Sequence, residues 1–171
     1  MAAVEGWIAR QRGLEGLGEA LSLPSPPSST EAAAELGAVV GRIYDLIADN
    51  RFVLKLFESC AEELPALAQR YLVERHRGLF AVLGEFLDAR ISAGVLGPVP
   101  DVPTAARFIA ESIAWFALHR LGDPDSAMLS DEDPRRTVVA LVPASFLPCG
   151  ARKCEFGCWR SRSSGLIPWL R

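Results

Sequence analysis

Residues that catalysis and metal binding depend on are scarce in this sequence. It has two histidines, two tyrosines and four cysteines among 171 residues. Cys60 stands apart, while Cys149, Cys154 and Cys158 crowd together near the C-terminus. That distribution is not the disulfide framework of a small secreted domain. Nor does C-x4-C-x3-C match the paired spacing of a closed zinc site, which needs four ligands; no histidine follows it. No Gly-rich phosphate loop, H-E-x-x-H or G-x-S-x-G occurs. Cys60 and His76 could form a nucleophile–base pair in principle, but they fall on different expected helices and nothing else orients them. Glu62 and Glu63 read as a solvated charge pair. No catalytic residue, metal or cofactor is therefore expected, and the chain is not read as an enzyme.

Other absences narrow the class further. Glu5, Arg10, Arg12, Glu15 and Glu19 interrupt what would be the apolar region of a secretion signal. The best uncharged run, 137–150, contains Pro143 and Pro148 and is too short to cross a bilayer. A cytoplasmic chain with no membrane partner is the expectation. Net charge is -3, which gives no general reason to expect nucleic-acid binding. That balance is uneven, because Arg152, Lys153, Arg160, Arg162 and Arg171 stand against Glu155 alone after Cys149. No strand-like alternation bounded by hairpin turns appears, and no internal repeat.

What the chain does have is apolar residues at helical spacing. They make up half of it, enough for a sizeable core in one domain with an appendage. Residues 1–22 carry Val4, Ile8, Leu14, Leu17 and Leu21 on a helical period, weakened by Gly13, Gly16 and Gly18. Residues 23–29 are a Pro/Ser linker. Ser28 and Glu31 have capping-box spacing ahead of Leu36, Val39, Val40, Ile43 and Ile47. Asn50 is a cap candidate for a short helix carrying Phe52, Val53, Leu56 and Phe57. From Pro65 to Ala93 runs the longest pattern, with Leu72, His76, Leu79, Leu83, Phe86 and Ile91 as its stripe, and Gly94 supplies a left-handed stop. Asp101 and Pro103 open a helix over about 104–121, and Asp133–Pro134 opens another that Pro143 should kink or shorten. The expected fold is all-α, a bundle of five to six helices crossing orthogonally or antiparallel.

One feature demands a partner. In 104–121 the polar Thr104, Arg107 and Glu111 form one narrow row. Phe108, Ile109, Ser112, Ile113, Trp115, Phe116 and Leu118 cover the rest of the circumference. The helix over 134–147 is also apolar on more than one side. A small domain can bury one apolar face of each helix but not two, and each large side chain left in water forgoes roughly 1.5–3 kcal/mol. A homodimer built from two helices of each copy is expected. Its interface candidates are Phe108, Ser112, Trp115, Phe116, His119, Val138, Leu141 and Val142. The alternative is a central helix wrapped by its own chain. His119, near a helix C-terminus, is also a capping candidate, since that end of the helix dipole favours a cation.

The stretch from "AELGAVVGRIYDLIADNRFVLKLF" through "EELPAL" and "ISAGVL" to "DVPTAARFIAESIAWFALHRL", with a last helix opening at Asp133–Pro134, resembles the C-terminal domain of tetracycline-repressor (TetR) family regulators. The resemblance covers 31–147 and, loosely, 1–22, which looks like the family's connecting helix. It implies a domain over 30–147 that dimerises through its last two helices and holds an internal pocket for a small apolar molecule. The family's usual N-terminal helix-turn-helix has no counterpart among these residues, so no DNA-reading residue is carried over. No sequence-specific DNA binding is expected of this chain, and it reads as a truncated regulator. In intact relatives a ligand would act by shifting the spacing of two DNA-reading heads.

For such a pocket the candidate lining is Tyr44, Phe57, Tyr71, His76, Phe80 and Trp115, with Phe52 and Phe86 as further aromatics. The two tyrosines stand out because a buried hydroxyl needs a partner. Each of these residues could equally be ordinary core, His76 included. The segment 148–171 reads as a basic, irregular tail; Trp159 and Trp169 beside its cations could contact nucleic acid, but the segment is short and unpatterned. The competing function is a helical protein-interaction domain with no small-molecule ligand.

Overall fold

The computed structural model describes residues 26, 28–61, 63, 65–69, 73–126 and 128–148. The expected helix over 1–22 and the basic residues after Cys149 lie outside the described residues. The described elements are α1 (Ser29–Asp49), α2 (Arg51–Ser59), α3 (Pro65–Ala68), α4 (Glu74–Ser92), α5 (Val102–Ala117), a 3-10 turn (His119–Gly122) and α6 (Glu132–Ser145). No strand occurs among the described residues, so the chain is all-α as expected. No helix among them is long and apolar enough to cross a membrane.

Local chemistry explains most of the boundaries. Ser28 caps α1 by accepting from the Glu31 N–H at 3.3 Å. Glu31 reaches back, but its carboxylate takes the Ser28 hydroxyl at 2.7 Å instead of the cap's backbone N–H. Asn50 caps in the opposite sense from the one expected. Its side chain makes no cap bond to α2; Nδ2 donates to the Leu46 carbonyl at 2.7 Å and closes the end of α1. At α5 the Asp101 carboxylate accepts from the Thr104 N–H at 2.7 Å, with Pro103 in the first turn. Gly94 takes φ 73° after α4, a backbone region where a side chain would be strained. Gly97 serves differently: its N–H donates to the Phe146 carbonyl at 2.7 Å, an approach so close that a Cβ would sit 3.3 Å from two carbonyl oxygens.

α6 begins two residues earlier than the sequence suggests. Asp133 is not the cap; its N–H is accepted by the Ser130 hydroxyl at 3.1 Å, and Asp133 sits in the first turn. Asp131 occupies the cap position without capping, because its carboxylate is engaged by Arg51 and Arg120. The helix over 104–121 also differs. It runs from Val102 to Ala117, breaks at Leu118, and continues as the 3-10 turn. His119 is not what closes α5. Tyr44 Oη and Arg120 Nε both donate to the Phe116 carbonyl, at 3.1 and 2.8 Å, and Arg51 Nε donates to the Ala117 carbonyl at 2.6 Å.

α5 is the central element, packed against α1, α4 and α6. Its Ala106, Ile109 and Ile113 meet Leu36, Val40 and Ile43 of α1, Leu83, Phe86 and Leu87 of α4, and Val138 and Val142 of α6 in one core. Alanines at 106, 110 and 117 of α5 are part of that buried face, where short side chains let neighbouring helices approach closely. Two ion pairs pin elements distant in sequence. Arg90, 2% exposed, gives a two-pronged contact to Glu35 at 2.9 and 2.7 Å and lies over the Phe86 ring at 5.0 Å. A guanidinium so enclosed requires such a partner. Arg135 of α6 grips Asp45 of α1 at 2.6 and 2.7 Å.

These pairs make stability acid-sensitive. The hydrogen bond from Arg135 holds the Asp45 carboxyl below its ordinary value, and the one from Arg51 does so for Asp131. A carboxyl whose folded-state pKa is depressed contributes stability in full above its unfolded value of about 3.9 and loses it as pH falls through the folded-state value. Urea midpoints should hold between pH 7 and 5 and decline below about pH 4. The decline should be shallower in Asp131→Asn. An identical slope in that variant would remove Asp131 from the account.

Candidate functional site

Among the described residues, those expected to line a pocket have different surroundings. Tyr44 is buried on the inner face of α1, and its hydroxyl already donates to the Phe116 carbonyl. Phe57 is buried on α2, yet it is not part of the core cluster. Phe80 is half-buried on α4, with the Arg107 guanidinium 4.8 Å from its ring centre and the His76 ring 6.1 Å away at 44°. His76 itself is exposed, contrary to its expected place on the buried stripe. Trp115, expected inside, is on the outside; its ring meets Phe116 edge-on, 5.0 Å between centres at 78°. Tyr71 lies outside the described residues. His76 shares its side of α4 with Leu83 and Leu87 but sits in the helix's first turn, and Trp115 lies on the side of α5 opposite Ala106 and Ile113.

The second set, expected at a dimer interface, divides into two groups. Val138 and Val142 belong to the protomer's own core and are enclosed there. They are corrected to core residues, because α6 turns this face toward α1 and α5. Phe116 is half-buried against the same core. Phe108, Trp115 and Leu141 are 56%, 40% and 64% exposed. These three are the large apolar side chains that the chain's own packing leaves in water on α5 and α6. Ser112 lies between the two aromatics and turns its hydroxyl back onto the Phe108 carbonyl at 2.7 Å, so it would need no water if covered. His119 is exposed beyond the end of α5.

The geometry fixes which flanks these are. Arg107 reaches Phe80 of α4, so the other flank of α5, carrying Phe108 and Ser112, points away from α4, and Trp115 lies between the two flanks on the outer side. Arg135 and Val139 face α1 through Asp45 and Gly37, so the flank of α6 carrying Thr137 and Leu141 points away from α1. α5 and α6 pack on each other. Their outer flanks present Phe108, Trp115 and Leu141 to solvent. An Arg107–Glu111 ion pair at 2.7 Å borders them on α5, with Glu111 one turn before Trp115.

A groove the sequence reading did not identify runs between α1 and α6. It measures about 560 Å³, and Ala33, Gly37, Ala38, Gly41, Pro143 and Ala144 are among its lining. Its signal was present as small residues four apart, Gly37 and Gly41. Pro143 lies within the last turn of α6 without stopping it, packed toward Gly37. No group of three or more potential metal ligands occurs among the described residues. The chain matches no family model, no curated protein and no solved structure.

Proposed function

We propose that this chain is an effector-binding and dimerisation domain of the TetR-like kind. It pairs with a second copy through α5 and α6 and accommodates a small apolar molecule among its helices. In this reading it works in the cytoplasm, catalyses nothing, and does not itself read DNA sequence. The observation that carries it is the exposure of Phe108, Trp115 and Leu141 on the free flanks of the two helices through which TetR-like domains pair. A monomer holding these in water forgoes roughly 1.5–3 kcal/mol for each.

The effector half rests on the resemblance. A thermal-shift screen with uncharged aliphatic and aromatic compounds tests it. A true effector at a hundred times its Kd stabilises by about 2.7 kcal/mol, a rise of about 6–10 °C in a chain of this size. A panel that leaves the melting temperature unmoved would remove the effector.

The outward placement of Trp115 and His76 and the engaged Tyr44 hydroxyl favour a second reading, a helical interaction domain with no ligand. That reading expects pairing without any thermal response to small molecules.

A further inference from the structure

The groove between α1 and α6 has a polarity along its length. The two helices run antiparallel there, with Gly37 beside Pro143 and Asp45 beside Arg135. The charged lining gathers at one end, as Arg42, Asp45 and Arg135; toward the other end it is Ala33, Ala144 and Leu147. Between the ends, exposed Ala34 and Ala38 of α1 and Ala140 of α6 form low rims, and the buried Gly37 and Gly41 lie in the floor. A volume of about 560 Å³ falls within the range of small-ligand sites, roughly 300–1,000 Å³.

The two glycines are not what lets the helices meet. A Cβ on Gly37 would lie 3.5 Å from Pro143 Cγ and 3.6 Å from the Val139 carbonyl oxygen. One on Gly41 would lie 3.4 Å from Arg135 Nη2 and 3.6 Å from Val139 Cγ2. These are ordinary contact distances, and neither glycine has a positive φ. Alanine fits both positions. Glycine inside a helix is destabilising relative to alanine, so α1 carries two weakening residues that its packing does not require. Their effect is depth, a slot along the helix pair with no side chain from these positions in its floor.

The charges select the occupant. Arg135 engages both oxygens of Asp45, so that pair balances itself, and the surplus charge of the lining is the Arg42 cation. Arg42 is exposed, and a guanidinium presents a planar fork that matches a carboxylate. Ala33 and Arg42 are nine residues apart, a rise of about 13 Å and the length of an extended chain of roughly ten carbons. An apolar slot with a cation at one end fits an amphiphile with a single anionic head.

We propose that this groove binds a free aliphatic monocarboxylate of about ten carbons, its carboxylate on Arg42 and its chain laid over Gly41 and Gly37 toward Leu147. The site lies on the outside of the helix pair, separate from the internal pocket that a TetR-like domain implies, and does not rest on that reading.

Calorimetry and amide chemical shifts with decanoate on the full chain test it. Decanoate should bind one to a chain and shift the amides of Gly37, Gly41 and Ala140. Decan-1-ol should bind about three- to tenfold more weakly, and decyltrimethylammonium more weakly still. Arg42→Gln should lower decanoate affinity to that of the alcohol and leave alcohol binding unchanged. Ala38→Leu, at an exposed rim, should weaken both ligands about tenfold by filling the slot. Gly37→Ala should also weaken both while raising the melting temperature of the free chain by about 2–4 °C; a glycine demanded by packing would lower it. Absence of binding at about 1 mM decanoate, binding indifferent to Arg42→Gln, or binding left intact by Ala38→Leu and Gly37→Ala overturns the proposal. A lower melting temperature in Gly37→Ala overturns the slot, because the glycines would then belong to the packing of α1 on α6.

Discussion

The double variant Phe108→Asp, Leu141→Asp is expected to sediment as a monomer at concentrations where the wild-type chain is a dimer. A two-fold axis uses every interface residue twice, so two substitutions remove four apolar anchors and place four carboxylates at the contact. Burial of each anchor is worth roughly 1.5–3 kcal/mol. The area-based total overstates affinity, because association also costs rigid-body freedom and side-chain ordering. Even a loss of about 4 kcal/mol weakens pairing about a thousandfold. Both positions are exposed in the protomer, so helicity should be unchanged. Arg107→Ala, on the flank of α5 turned toward α4, should leave the dimer constant within about threefold. A wild-type monomer at micromolar concentration would end the pairing proposal. A variant that still dimerises would move the interface elsewhere, with the groove of small residues between α1 and α6 as the next surface to probe.

What could be read from the sequence, and what could not, follows from the range of the interactions involved. Asp101 with Thr104, Ser28 with Glu31, and Gly94 act within three residues of their own position, and each sits where the sequence puts it. The start of α6 was misplaced for the opposite reason. Asp131 is engaged by Arg51, 80 residues away, and by Arg120, 11 away, which leaves capping to Ser130. Spacing gives the angular separation of Val138, Leu141 and Val142 on a helix. It does not say which angle faces the core. The position of α1, fixed partly by the Arg135–Asp45 pair, decides that. Asn50 fits a helix start and a helix end equally well from its residue type, and only the location of the Leu46 carbonyl separates the two. The candidate pocket was less legible than the outer face. Aromatic residues at helical spacing mark proximity to a core, whereas a cavity depends on where several helices fail to meet.

Arg120 illustrates that limit most strongly, since nothing in an apolar run from Ile113 to Leu121 announces a buried arginine with four acceptors. Its Nε donates to the Phe116 carbonyl at 2.8 Å, and one terminal nitrogen donates to the Leu129 and Ser126 carbonyls at 3.1 and 3.4 Å. The other terminal nitrogen holds the Asp131 carboxylate. The side chain is 0% exposed. Replacing a buried ion pair by apolar residues is often nearly neutral when both partners are removed. Here the Leu129 carbonyl would lose its arginine donor, and as a main-chain group no substitution can delete it; the Ser126 carbonyl keeps the Leu129 N–H at 3.2 Å. Each acceptor left without a donor costs about 1–3 kcal/mol unless water reaches it. Arg120→Met keeps most of the volume, so the cavity contribution is small. A loss of about 2–4 kcal/mol is expected from urea denaturation followed by circular dichroism. Arg51→Met removes the water-accessible contact to the same carboxylate and should cost about 1 kcal/mol or less. The double variant Arg120→Met, Asp131→Asn should lose less than the two single variants added together, because each already breaks the shared bond. A loss below about 1 kcal/mol for Arg120→Met would mean that the loop from Asp123 to Ser130 rehydrates freely, and that the path from α5 to α6 is set by its own turns and not by the arginine enclosed within it.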